Sequence, residues 1–86
     1  MDGSHDVDAA HKHSARHRSE LENSTKCGCF YCLETFKLPD ISEPEWIDDD
    51  TTLLCPFCGI DSVIGDASGH PLDSSFLQLM RARWFG

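Results

Sequence analysis

Basic side chains are scarce in this chain. Seven Lys and Arg stand against fifteen Asp and Glu among 86 residues, a formal net charge of −8 with His neutral. From Cys27 to Leu72 the one base is Lys37, among nine acids. Polyanions reward clustered Lys and Arg, so this balance argues against a phosphate-binding surface as the main purpose. Long apolar runs are missing too: no stretch approaches the about 18 residues of a membrane span, which excludes an integral helical membrane protein. The opening MDGSHDVDAAHKHS has no apolar stretch of the secretory-signal kind, so the expected compartment is a reducing cytoplasm. There is no Gly-rich phosphate loop, nucleophile elbow or triad order, and no enzyme is expected. The apolar fraction is 40%, and a chain this short buries too little to be comfortable without a staple.

Cysteine is what the chain has in quantity. Two pairs, Cys29-Phe30-Tyr31-Cys32 and Cys55-Pro56-Phe57-Cys58-Gly59, are separated by 22 residues. Two residues between cysteines let one tight turn present both sulfurs to one ion, and zinc takes four such ligands in a tetrahedron. In C-P-x-C-G the proline presets the turn, and Gly59 supplies a positive φ that lets backbone N–H groups point at the thiolates. Cys29, Cys32, Cys55 and Cys58 are therefore the expected ligands of one structural Zn2+. The competing readings are a redox dithiol (which lacks its βαβ setting here), an iron or iron–sulfur site, and disulfides. Cys27, two residues before Cys29, is a free thiol, a small buried neighbour or a substitute ligand.

The histidines concentrate near the start: His5, His11, His13 and His17. On a continuous helix His13 and His17 share a face and form a candidate second metal site, with Cys27 as a third donor. The blander expectation is a polar helix with solvated or hydrogen-bonded histidines. The segment His11–Arg18 is also the one basic patch, suited to nucleic acid or to neutralising the acidic remainder of the same chain. Asp61 and Asp66 flank a glycine-rich strand edge, where aspartate commonly caps backbone N–H groups. His70, between Gly69 and Pro71, reads as a loop residue.

Periodicity predicts a helix over about 7–22, with a thin inward stripe Val7, Ala10, Ser14, His17, Leu21 and a cap at Ser4 or Asp6. That stripe is too weak to fold alone. A stronger helix is predicted over about 74–85, started by Asp73 or Ser74, with Phe76, Leu77, Met80 and Trp84 on one face. Strands are expected at Phe30–Tyr31, Thr51–Leu54 and Ser62–Ile64, with Trp46 and Ile47 anchoring the connection between the knuckles. The fold expected is α+β: a flexible 1–10, then one domain over 11–86 with a zinc-ribbon-like core over 27–66 between an N-terminal and a C-terminal helix.

The stretches HSARHRSEL, CGCFYCLETF, TTLLCPFCGIDSVIGDASGHPL and FLQLMRARWF resemble a family of short bacterial proteins of uncharacterised function, over about nine tenths of the chain. The resemblance implies a one-domain, cytoplasmic, zinc-ribbon-like protein of bacterial or phage origin, and it carries no activity with it. It also implies that HSARHR belongs to the folded unit. The expected function is a non-enzymatic module binding a protein partner with a basic surface. Nucleic-acid binding, and a metal-dependent enzyme or sensor using His13 and His17, are the alternatives.

Overall fold

The computed structural model describes residues 4–85, with side chains from Val7 onward. The side chains of the proposed caps Ser4 and Asp6, and residues 1–3 of the expected flexible segment, lie outside what is described. The fold is α+β. Three helices, α1 (Ser4–His11), α2 (Arg18–Glu22) and α3 (Ser74–Phe85), surround five short strands. The strands are β1 (Cys27–Cys29), β2 (Thr35–Phe36), β3 (Trp46–Ile47), β4 (Thr52–Leu53) and β5 (Val63–Gly65). β1 lies centrally in an antiparallel sheet ordered β2-β1-β5, and β3 and β4 form a separate hairpin.

Strand alternation assigns the sheet two different faces. Ile64 joins Val7, Ala10, Phe30, Leu72, Phe76, Leu77 and Met80 in one apolar cluster, which is where α1 and α3 pack. Gly28 faces the same way: a Cβ there would sit 3.3 Å from Leu77 Cδ1, so the missing side chain lets α3 lie close on the strand. Val63, Cys27 and Cys29 turn to the opposite cluster with Leu21, Phe36, Leu53 and Cys55. The expected α3 face is observed, with Asp73 Oδ1 accepting the Phe76 N–H at 2.8 Å as the N-cap.

The N-terminal region departs from expectation. Residues 4–10, expected to be flexible, are helical, and Val7 and Ala10 are buried against α3. Trp84 Nε1 donates to the Val7 carbonyl at 3.2 Å, and the His11 ring lies 3.9 Å from the Trp84 ring. The single helix over 7–22 is instead broken into α1, a 3₁₀ turn at Lys12–Ser14, and α2. The β3–β4 hairpin causes the break by competing for donors. Arg16 N–H goes to Thr52 Oγ1 at 2.7 Å, and the His17 and Arg18 N–H groups both go to the Thr51 carbonyl. With those donors taken, Arg16 turns to a left-handed φ of 51°. All five stripe residues are buried nonetheless, so the pattern marked the inward face correctly while the continuous helix did not form. The strand expected at Phe30–Tyr31 lies instead at Cys27–Cys29, because residues 30–32 are used by a turn.

His17 joins these parts. Its Nδ1–H donates to the His13 carbonyl at 2.7 Å, and its Nε2 accepts the Leu53 N–H at 2.9 Å. Burial lowers its pKa below the ordinary histidine value. Replacing it by leucine leaves two buried backbone groups without partners, an expected loss of about 2 kcal/mol. Wild-type stability is full above the usual histidine pKa of about 6.5. Below it stability falls, because the unfolded chain takes up a proton that the buried ring resists. In denaturant titrations across that range His17→Leu loses this slope; an identical slope in the two proteins contradicts the assignment. Gly65 is equally constrained: a Cβ there would overlap Ser24 Oγ and lie 2.9 Å from Leu21 Cδ2. Gly65→Ala is expected to push α2 off the sheet, costing about 1–3 kcal/mol in the same assay.

Candidate metal centre

Two turns of nearly identical construction carry the four sulfurs. In the first, Leu33 N–H donates to the Cys29 carbonyl and Cys29 N–H donates to the Glu34 carbonyl, each at 2.9 Å. In the second, Gly59 N–H donates to the Cys55 carbonyl and Cys55 N–H to the Ile60 carbonyl, again at 2.9 Å. The residue after each second cysteine is left-handed, Leu33 at φ 68° and Gly59 at φ 78°. Glycine takes that conformation without strain, whereas leucine pays about 1–2 kcal/mol for it. Sequence pattern identified Gly59 for this role; Leu33 is recognisable only once the two turns are superposed residue by residue.

Backbone donors converge on the sulfurs. Tyr31 N–H and Cys32 N–H approach Cys29 Sγ at 3.3 and 3.4 Å, and Phe57 N–H approaches Cys55 Sγ at 3.4 Å. Ser62 Oγ lies 3.0 Å from Cys29 Sγ with both residues buried, and its hydroxyl is the donor once Cys29 is a thiolate. No spacing rule pointed to Ser62. It reaches the site because β5 begins beside β1, where the Phe30 N–H also donates to the Ser62 carbonyl.

The four sulfurs lie within 4.8 Å of one another. Cys29–Cys58 and Cys32–Cys55 are separated by 3.7 and 3.6 Å. A sulfur tetrahedron with metal–sulfur bonds of about 2.3 Å has edges of about 3.8 Å. All five cysteines are free thiols, whereas a disulfide requires about 2.05 Å between sulfurs. The residues are therefore positioned to hold one metal ion, and sulfurs this close leave no room for a multi-iron cluster. Burial pushes Cys32 and Cys55 up to about 11 and raises Cys58. Burial also works to raise Cys29, but the hydrogen bonds from Ser62 and from backbone N–H groups outweigh it and bring its pKa down.

The other candidate residues take structural places. Cys27 is wholly buried, and burial together with Asp66 raises its thiol to about 11. It is not among the clustered sulfurs. His17 has both ring nitrogens engaged with backbone and does not pair with His13 as a ligand. Asp66 caps the Thr25 N–H at 2.8 Å, as its turn setting suggested, while Asp61 is exposed. His70 lies in the bend before Pro71, with its ring stacked on Phe76 at 5.8 Å.

Raised thiol pKa values mean that an ion must displace protons, so uptake is expected to release about three to four of them and to tighten with rising pH. Calorimetry in buffers of different protonation heat reads this directly, and uptake without proton release contradicts it. Chelation or Cys58→Ser is expected to unfold the chain; a cooperative, native-like metal-free protein contradicts that. No helix among the described residues is long and apolar enough to cross a membrane. Comparison of the chain with protein-family models, with curated proteins and with solved structures finds no match.

Proposed function

We propose that this chain is a small zinc-stabilised, non-enzymatic interaction module of the zinc-ribbon kind, acting in a reducing cytoplasm on a protein partner with a basic surface. Zinc is favoured over iron because a closed set of four thiolates, with no position left for substrate or water, suits a redox-inert structural ion. The likeness to short bacterial proteins in the two cysteine turns belongs to the same reading.

The observation that carries the partner reading is the β3–β4 hairpin. Its tip is Asp48-Asp49-Asp50, all exposed and all left-handed, with φ of 55°, 59° and 65°. Aspartate is among the few non-glycine residues that accept this backbone, and the turn displays three adjacent carboxylates to solvent. Thr51 holds the tip, its Oγ1 donating to the Asp48 carbonyl, while the His17 and Arg18 N–H groups at the start of α2 donate to the Thr51 carbonyl. Glu43 and Glu45 are exposed in the approach to the hairpin. Among the described residues no ion pair involves these five acids. A fixed acidic face of this kind steers a basic partner and accelerates encounter.

The basic segment, suited in the sequence to nucleic acid or to neutralising the same chain, keeps His11, Lys12 and Arg16 exposed, while its other bases engage groups of this chain. Arg18 pairs with Glu22 at 3.1 Å and lies 4.6 Å over the Trp46 ring. His17 is buried, and His13 faces Glu20.

Elemental analysis of untagged protein is expected to give one zinc per chain in the four-cysteine site; iron there, or no metal, overturns the cofactor. Combined Asp48→Asn, Asp49→Asn and Asp50→Asn keeps a residue type that tolerates the left-handed turn, so zinc content and melting should hold. Association with partners captured at low salt should slow at least about tenfold and weaken as salt rises. Partners lacking basic surface, or binding indifferent to salt and to the triple substitution, overturn the proposal.

A further inference from the structure

The break between α1 and α2 commits both His17 ring nitrogens to backbone groups and leaves His13 beside a residue far along the chain. The His13 and His70 ring centroids are 5.5 Å apart with planes inclined at 59°. Two imidazoles sharing one ion through metal–nitrogen bonds of about 2.0–2.1 Å have ring centres about 5–6 Å apart at tetrahedral or slightly wider angles. The observed spacing falls in that range, and both residues are half-buried, within reach of an ion from solvent.

Each ring is also held from behind. Glu20 Oε1 and Oε2 lie 2.9 and 3.0 Å from His13 Nδ1. An ionised carboxylate only accepts, so Nδ1 carries the proton and the Nε2 lone pair is left available. A carboxylate on the far nitrogen is the usual device that orients a histidine ligand and raises its basicity. The His70 ring lies nearly parallel to Phe76, at 14°, and its backbone N–H donates to Ser68 Oγ at 3.3 Å.

We propose that His13 and His70 form a second metal site, for a single divalent ion of the zinc–nickel–copper class, with Glu20 as its positioning residue. Among the described residues no third side chain completes a three-donor cluster with these rings. The remaining coordination positions are open to water or to a donor from a partner. This ion would be exchangeable, unlike one enclosed by four thiolates, and it would tie the turn after α1 to the loop between β5 and α3.

The test is Zn2+ titration of protein whose four-cysteine site is already filled, at mildly alkaline pH, followed by native mass spectrometry and by NMR of the histidine side-chain nitrogens. One additional ion is expected. It should shift the His13 and His70 ring signals and leave those of His17 in place. Glu20→Gln should weaken this second binding about 10–100-fold without altering the first. His13→Ala and His70→Ala should abolish it. The wild-type ring signals report the ligands directly, so the assignment does not depend on how well the variants fold. Absence of a second ion at millimolar free zinc, or a second ion that shifts His11 instead of His13 and His70, overturns the proposal.

Discussion

The convergence of four sulfurs on one point is the constraint from which the rest of this architecture follows. Cys29 ends β1 and Cys32 lies in the turn toward β2, whereas Cys55 and Cys58 follow the β3–β4 hairpin. Joining the two turns therefore joins two otherwise separate sheets. The apolar cluster on that side contains Cys27, Cys29 and Cys55 among its seven members, so much of this core is itself sulfur. Zinc binding by small modules yields about 10–16 kcal/mol, comparable with the whole stability of a typical domain at about 5–15 kcal/mol. With the hairpin fixed by its cysteines, a chain of short elements acquires one persistent shape.

That fixation is passed to the N-terminal third through backbone groups. Leu53 stands two residues before Cys55, and its N–H is held by His17 Nε2. Through Nδ1 the same ring reaches the His13 carbonyl, while Thr51 and Thr52 take the N–H groups of residues 16–18. The hairpin is thus clamped by the metal turn at its base and by the broken helix along its length. The other face of the sheet is held mainly by packing, with α1 and α3 meeting over Ile64 and Phe30 and joined by the Trp84 Nε1–Val7 carbonyl bond. Arg83–Asp8, exposed at 3.0 Å, adds little to that union beside the buried Val7, Ala10 and Met80.

The parts legible in the sequence are those whose cause is local. The doubled C-x2-C, the positive φ at Gly59, the Asp73 cap and the apolar face of α3 each depend on a few neighbouring residues. The inward stripe from Val7 to Leu21 was legible too. Its interruption was not, because the competing acceptors are Thr51 and Thr52, some 36 residues away. Cys27–Cys29 gave no alternation by which to read a strand, since Gly28 has no side chain to mark the other face. Leu33 carries no signal for a left-handed turn, and its conformation is imposed by the ring of hydrogen bonds around Cys29. The pairing of His13 with His17 rested on helical spacing and failed with the helix; the pairing with His70 exists only in three dimensions.

Charge ties these observations together. Four thiolates around a divalent ion leave a formal excess of about two negative charges at the centre, in a chain already at −8. Among the described residues, no lysine or arginine is a cause of the pKa shifts at the four thiols. Backbone N–H groups from Tyr31, Cys32 and Phe57, together with the Ser62 hydroxyl, point at the sulfurs instead. Because this neutralisation is by dipoles already fixed in the two turns, no cation has to be drawn in from the surface. The hairpin acids remain unpaired among the described residues, so a field that no internal fold requirement uses extends outward from Asp48–Asp50. On the reading proposed above, backbone dipoles balance the charge at the centre, and the unbalanced surface charge is what a partner of opposite sign would meet.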